Sequence, residues 1–348
     1  MRSLHIIGET DIVCKLLDTL HTATLVRSLS LDVVGQHPME LPDNVFGGQA
    51  PIREASFIAV SYIVAPQWLL RGITHFTSNQ QIPLQNLLDT LRQMPVLHSF
   101  TLERCVVDWR GPDARYPQGA PIPMQNLMYF TVDIDEGSPV IFALLLQRLA
   151  LPDYAKKRIR SHKSSDSQYL RFWSRLMFAI PFSVPEIIVA ANGLQHVQLS
   201  GGFSEGSFRL WTGDSGYEDA EFSFEISWKA EKPGADYLSP VVNLEPLCDI
   251  LGVERVRMLT LLLNPQDPIG LESSFWWTLL KKLPAVEELE LCVDAVRELR
   301  SAWSTGCPPA VFPELRSMHI VRAADSTEST IAEMMEELRR SLQGKTEH

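Results

Sequence analysis

The sequence predicts an α/β repeat solenoid, with parallel strands on a concave side, helices on a convex side and one β-hairpin insertion. Three observations predict it. A six-residue apolar beat recurs down the chain, helical stripes fill the intervals between beats, and 45% hydrophobic against 21% charged residues lets 348 residues bury a core. The beat is an apolar residue, two variable ones, an apolar residue, one variable and an apolar residue. It reads MRSLHI, VRSLSL, IREASF, ITHFTS (with Ser78 in the last apolar place), LHSFTL, LMYFTV, LQHVQL, VRMLTL, VEELEL and LRSMHI. Its middle apolar residues are Leu4, Leu29, Ala55, Phe76, Phe100, Phe130, Val197, Leu259, Leu289 and Met318. They fall 21–30 residues apart, except for gaps of 67 and 62 that are about twice as long. A strand core of the LxxLxL kind at a period of about 20–29 residues is the signature of leucine-rich repeats.

The intervals supply the outer layer. Pro83 opens a stripe of Leu84, Leu87, Leu88, Leu91 and Met94, one face of a helix that Pro95 stops. Similar stripes lie at Ser138–Leu149, Glu272–Leu283 and Asp294–Trp303. Neither a strand nor a helix of this kind buries its apolar side alone, so the units must stack.

Four segments follow from this pattern. Residues 1–153 hold N-terminal repeats, and 154–190 hold a basic loop, built on KKRIRSHK, and a helix. Residues 191–323 hold C-terminal repeats with a hairpin at 201–229. Residues 324–348 hold a capping helix and tail. The hairpin rests on two alternating runs, Phe203–Trp211 and Glu221–Trp228, joined by TGDSGYED. In the cap, Ile331, Met334, Met335, Leu338 and Leu342 keep helical spacing under a polar cover. The opening strand, Ser3–Ile7, is expected to leave backbone groups open on a sheet edge and to favour aggregation.

Composition excludes several classes. A formal charge of −11 opposes general binding of nucleic acid or anionic membrane. The apolar stretch Leu176–Ala191 is broken by Pro181, Pro185 and Glu186, so no membrane span is expected. Five scattered cysteines without CxxC suit a reducing compartment, and no secretory leader is read at the N-terminus. A cytoplasmic or nuclear location is the expectation.

Chemistry-bearing motifs are scarce. His5, His75, His98, His196 and His319 sit at variable strand positions and read as solvated face residues, not acid–base pairs. No Cys or His pair has ligand spacing, so neither metal nor cofactor is expected. Asp133, Asp135 and Glu136 precede a helix, where acids complement its dipole. Gly201, Gly202 and Gly206 lack the Lys-Ser/Thr of a phosphate loop. The basic run Lys156–Lys163 reads as a solvated loop, with a localisation or phosphate patch as its alternative. Of Trp276 and Trp277, at least one belongs to the core.

Strand side chains alternate between faces, so the variable positions of the beat form columns on the concave side. Ser56, His75, Thr77, Ser99, Thr101, Tyr129, Thr131, His196, Gln198 and Thr260 are the candidate protein-binding residues there. They are mostly small, polar and uncharged, which suits protein docking.

Several stretches carry a resemblance. LPDNVFGGQAPIREASF, WLLRGITHF and LQNLLDTLRQMPVLHSFTLERC come first, then IPMQNLMYFTVDID with LLLQRLALPD, FSFEISW, and FWWTLLKKLPAVEELEL with FPELRSMHI. Together they resemble the leucine-rich-repeat half of F-box-like proteins of mushroom-forming, basidiomycete-type fungi. The resemblance implies a non-enzymatic array that recognises substrates for a cullin-type ubiquitin ligase, with no catalytic residue to carry over. The first repeat strand begins at once, so no F-box is read ahead of it and no contact with a ligase adaptor is expected. Two other readings stay open: an enzyme or small-molecule binder using segments 133–136 and 201–229, and a degenerate paralogue without a ligase role.

Overall fold

The computed structural model describes residues 2–35, 37–59, 63–80, 82–103, 120–134, 145–163, 193–201, 205–214, 216–229, 244–264, 273–304 and 311–322, with five positions between 333 and 339. The chain divides into two compact units, residues 1–160 and 161–348.

Unit 1 is built from strands that carry the beat. They are β1 (Ser3–Glu9), β2 (Ser28–Val34), β4 (Glu54–Ala59), β6 (His75–Gln80), β7 (Ser99–Leu102), β9 (Tyr129–Ile134) and β11 (Lys156–Lys163, of which the part up to Arg160 belongs to unit 1), side by side in that order. From β1 to β9 every neighbour is parallel. The register runs Leu4, Leu29, Ala55, Phe76, Phe100, Phe130, so the beat aligns residue for residue. Inward positions form a ladder of aromatic rings. Phe57, Phe76, Phe100 and Phe130 follow one another at centroid distances of 5.6, 6.0 and 5.9 Å, all of them buried. Such contacts add stabilisation beyond the apolar area that they bury.

Helices α1 (Thr10–Thr19), α2 (Gln67–Leu70) and α3 (Leu84–Arg92) provide part of the second layer. In α3, Leu87, Leu88 and Leu91 are buried, as the stripe requires. Residues 145–148 are helical as well, within the expected Ser138–Leu149 stripe. Between these pieces lie two short parallel pairs: β3 (Met39–Glu40) with β5 (Ile63–Val64), and β8 (Ile122–Pro123) with β10 (Leu149–Ala150). The segment that feeds β4 contains His37-Pro38, Pro42, Gly47, Gly48 and Pro51, which break helices and leave room for extended pieces. The amide side chain of Gln80, itself buried, accepts from the Ile63 N–H at 2.7 Å and ties β5 to β6.

Unit 2 places β14 (Phe222–Lys229), β13 (Glu205–Trp211), β12 (His196–Gly201), β15 (Met258–Leu263), β16 (Glu288–Cys292) and β17 (Ser317–Arg322) in that order. The last four are parallel, in the register Val197, Leu259, Leu289, Met318. Helices α4 (Leu244–Leu251), α5 (Ser273–Lys281) and α6 (Val293–Ser304) pack against one another, α6 resting on β15 and β16. Trp276 is fully buried there, and Trp277 is half-buried. Cys292 joins two repeats: its Sγ receives the Leu263 and Ala295 N–H groups at 3.1 and 3.4 Å.

Three expectations need correction. First, the sheet is not parallel throughout, because the hairpin expected at 201–229 forms as β13 and β14 within it. β13 pairs antiparallel with both β12 and β14, so the sheet is mixed in unit 2, and Phe208, Leu210, Phe222, Phe224 and Ile226 join its core. Gly201 makes that entry possible at φ +91°, where a Cβ would run into the backbone of Glu205 and Gly206. Second, Lys156–Lys163 is a strand and not a loop. Its period-2 burial is complete from Ala155 to Ile159, but the inward middle position is Lys157. The ammonium of Lys157 donates to the carbonyls of Asp153 and Ala155 at 3.0 and 2.8 Å, which makes a buried lysine tolerable. Third, the helices expected on the outer side share it with the short strand pairs above.

The insertion at 164–190, most of the Ser138–Leu149 stripe, Cys105, Cys307 and most of the cap lie outside the described residues. Glu333, Met335, Glu336, Leu338 and Arg339 are helical, and Leu338 is buried.

Candidate functional site

The outward face of unit 1 is a set of straight columns. Residue by residue, one runs His5, Ser30, Ser56, Thr77, Thr101, Thr131, and the next runs Ser3, Ser28, Glu54, His75, Ser99, Tyr129. Strands lie roughly 4.8 Å apart, so the first column spans about 24 Å and holds no Asp, Glu, Lys or Arg. Ser56, Thr77, Ser99, Thr101 and Thr131 are half-buried beside one another, His75 is exposed, and Tyr129 is 48% exposed. The register therefore brings seven of the ten candidate residues together on one face.

Unit 2 holds the other three, but in a different setting. Alternation along β13 puts Ser207, Arg209 and Trp211 on the outward face, opposite Ser200, Gln198 and His196 of β12. On the far side, Arg209 faces Glu225 of β14. The Arg209 Nε donates to Glu225 Oε1 at 2.8 Å, and the Tyr217 hydroxyl donates to Glu225 Oε2 at 3.3 Å. The guanidinium also lies 5.2 Å from the centre of the Tyr217 ring. Tyr217 meets Trp211 edge-on, and Trp211 stacks on His196 at 4.9 Å with planes 3° apart. Ser200 and Ser207 share a hydrogen bond of 2.8 Å. Thr260, expected on the open face, is buried and donates to Glu290 at 3.1 Å.

His196 also departs from the solvated histidine that was expected. Neither ring nitrogen makes a hydrogen bond of normal geometry. Burial pushes its pKa below the ordinary histidine value, against the opposing pull of Asp214, the Gly213 backbone, Glu288 and Glu290. The neutral imidazole is thus favoured, lying flat on an indole. The partners Arg209, Trp211, Tyr217 and Glu225 were not singled out from the sequence. The alternation of SFRLW was their signal, hidden because Trp211 reads as one more core residue.

Asp133 lies in β9 of unit 1, whereas the hairpin belongs to unit 2; Asp135 and Glu136 fall outside the described residues. Among the described residues, no group of three or more His, Cys, Asp or Glu is placed to hold a metal ion. None of the described helices is long and apolar enough to cross a membrane.

No family model and no curated protein matches the chain. Among solved structures, the chain is similar to the leucine-rich repeat-containing protein LegL7 from Legionella pneumophila. The identity is 12% and the TM-score 0.29, over 93% of this chain and 92% of that one. A likeness this loose carries no inference about function, and the F-box-like and fungal parts of the resemblance have no match behind them.

Proposed function

We propose that the chain is a non-enzymatic protein-interaction module, a leucine-rich-repeat array that docks a partner protein on the outward face of unit 1. One observation carries the reading: the in-register column His5, Ser30, Ser56, Thr77, Thr101, Thr131, flanked by His75, Ser99 and Tyr129. Burying hydroxyls costs less than burying charges, and each hydroxyl both donates and accepts. Tyr129 adds a half-exposed aromatic ring, the side chain that protein interfaces favour as an anchor. Recruitment of substrates to a cullin-type ligase is the finer form of this proposal. It rests only on the sequence resemblance, and binding of a ligase adaptor to the full chain tests it separately.

The test is site-directed photo-crosslinking with the cross-linker at Thr77, in the full chain. A specific partner should be captured there, and the triple change Thr101→Arg, Thr131→Arg, Tyr129→Arg should abolish its capture while leaving the fold intact. Undiminished capture by the triple variant removes this face from the proposal.

A further inference from the structure

Just before each strand, one backbone carbonyl receives two N–H groups from the next repeat. Arg2 O takes Arg27 and Ser28 at 2.8 and 3.1 Å, and Arg27 O takes Arg53 and Glu54 at 2.8 and 3.1 Å. Arg53 O, Thr74 O and His98 O continue the pattern to Met128, whose carbonyl receives Lys156. The same arrangement in unit 2 links Gln195, Arg257, Glu287 and Arg316. These residues line a lip where the chain enters the sheet and, Lys156 apart, they occupy the second place in each hexamer of the beat.

The two lips differ in charge. In unit 2 the order is Gln, Arg, Glu, Arg, and Arg316 pairs with Glu287 at 2.9 Å. In unit 1 the order is Arg, Arg, Arg, Thr, His, Met, Lys, without a carboxylate. Arg2, Arg27 and Arg53 are all exposed, and among the described residues none is ion-paired with an acid. Glu54, next to Arg53 in sequence, is the nearest acid along the chain and forms no ion pair with it. Arg53 Nη1 donates instead to the Gly72 carbonyl at 3.1 Å, which brings a fourth exposed arginine, Arg71, alongside. Like charges opposite one another on neighbouring strands repel. A chain carrying 42 acids could have paired them, as Arg316 is paired in unit 2, and here it does not.

We infer that the arginine lip of unit 1 is the anchor for an acidic peptide segment of a partner protein. This rests on the docking reading above and names the partner's chemistry. Three strands at roughly 4.8 Å spacing spread the guanidiniums over about 10 Å. An extended peptide crossing the strands presents same-side residues about 6.7 Å apart, so two alternate carboxylates meet three guanidiniums. Guanidinium groups bind carboxylates in a two-pronged geometry that ammonium groups do not reproduce.

Fluorescence anisotropy on the full chain tests this, using a fluorescein-labelled peptide that alternates Glu and Gly, and its Gln counterpart. The Glu peptide should bind, weaken as NaCl is raised, and lose about tenfold in affinity when Arg27→Gln and Arg53→Gln are combined. The unit 2 pair Arg257→Gln and Arg316→Gln should leave that affinity within about twofold. Equal binding of the Gln peptide, salt-independent binding by the unchanged chain, or the same loss from the unit 2 pair overturns the inference. So does a tighter arginine-dependent hold on phosphatidylserine vesicles or single-stranded DNA than on the Glu peptide. All the changed side chains are exposed, and the salt series needs no variant, so a folding defect does not hide the result. If Thr77 capture survives while the peptide ignores the arginines, only the lip falls. If the peptide obeys the arginines but capture ignores the triple change at Thr101, Tyr129 and Thr131, only the face falls.

Discussion

Equivalent outward positions are treated differently in the two units. In unit 1 the column through Thr77, Thr101 and Thr131 meets hydroxyl with hydroxyl, strand after strand, and towards its other end, beside His5, Ser30 and Ser56, the lip stacks Arg2, Arg27 and Arg53. In unit 2 the matching column runs Gln198, Thr260, Glu290, His319, and there Thr260 donates to Glu290 while Arg209 is clasped by Glu225. The lip repeats the contrast, since Arg316 has Glu287. Polar groups satisfied within the fold hold strands together; polar groups left facing water are available to something else. One repeat pattern thus yields a surface whose polar groups pair within the fold in one unit and a column of outward-facing hydroxyls in the other.

The largest effect should come from breaking the unit 2 network. Glu225 is buried and accepts from both Arg209 and Tyr217. Glu225→Ala leaves Arg209 without its charged partner in a part-buried setting, for a loss of about 1–3 kcal/mol in chemical denaturation. The double change with Arg209→Ala should recover part of that loss, because no uncompensated charge remains. A loss below about 0.5 kcal/mol would place the two faces on the same footing and dissolve the contrast.

A smaller and pH-dependent effect belongs to His196. Its folded-state pKa is lowered by burial, so the folded chain binds this proton less readily than the unfolded chain does. The stability it contributes is therefore present above the ordinary histidine value of 6.5 and lost as pH falls through the folded value. Melting temperature should drop on acidification from pH near 7.5 to near 5.5, and His196→Phe, which keeps a flat ring on Trp211, should shrink that drop. A drop that His196→Phe leaves unchanged would assign the pH response to other groups.

Much of this was legible in the sequence, for identifiable reasons. The ten beats aligned because Leu4, Phe76 and Leu289 mark inward positions that only apolar residues fill, and a period of 2 is hard to disguise over three apolar places. The columns of candidate residues followed from that register. What escaped was the behaviour of residues that break the apolar code. Lys157 takes an inward position through hydrogen bonds to Asp153 and Ala155, so β11 read as a charged loop. Trp211 lies in the meander on the outward side, buried by His196 and Tyr217 and not by the core. Thr260 looked like its unit 1 counterparts until its partner Glu290, on the next strand, was in place. A hydroxyl's surroundings depend on the neighbouring strand, which the local sequence does not specify.

The smallest effect on stability should come from the unit 1 face, and that is where the contrast is sharpest. Thr77 is half-buried in the column, and among the described residues no side-chain hydrogen bond holds its hydroxyl within the chain. Thr77→Val removes the hydroxyl, keeps the β-branched shape and leaves the inward Phe76 and Ser78 untouched. Stability should move by no more than about 0.5 kcal/mol in either direction, because nothing inside the chain loses a partner. Partner affinity, measured with the protein captured at this face, should fall by about five- to tenfold, the cost of one hydrogen bond left unmade at an interface. A stability loss as large as that of Glu225→Ala would mean that the column is satisfied internally after all, and the two faces would then be alike.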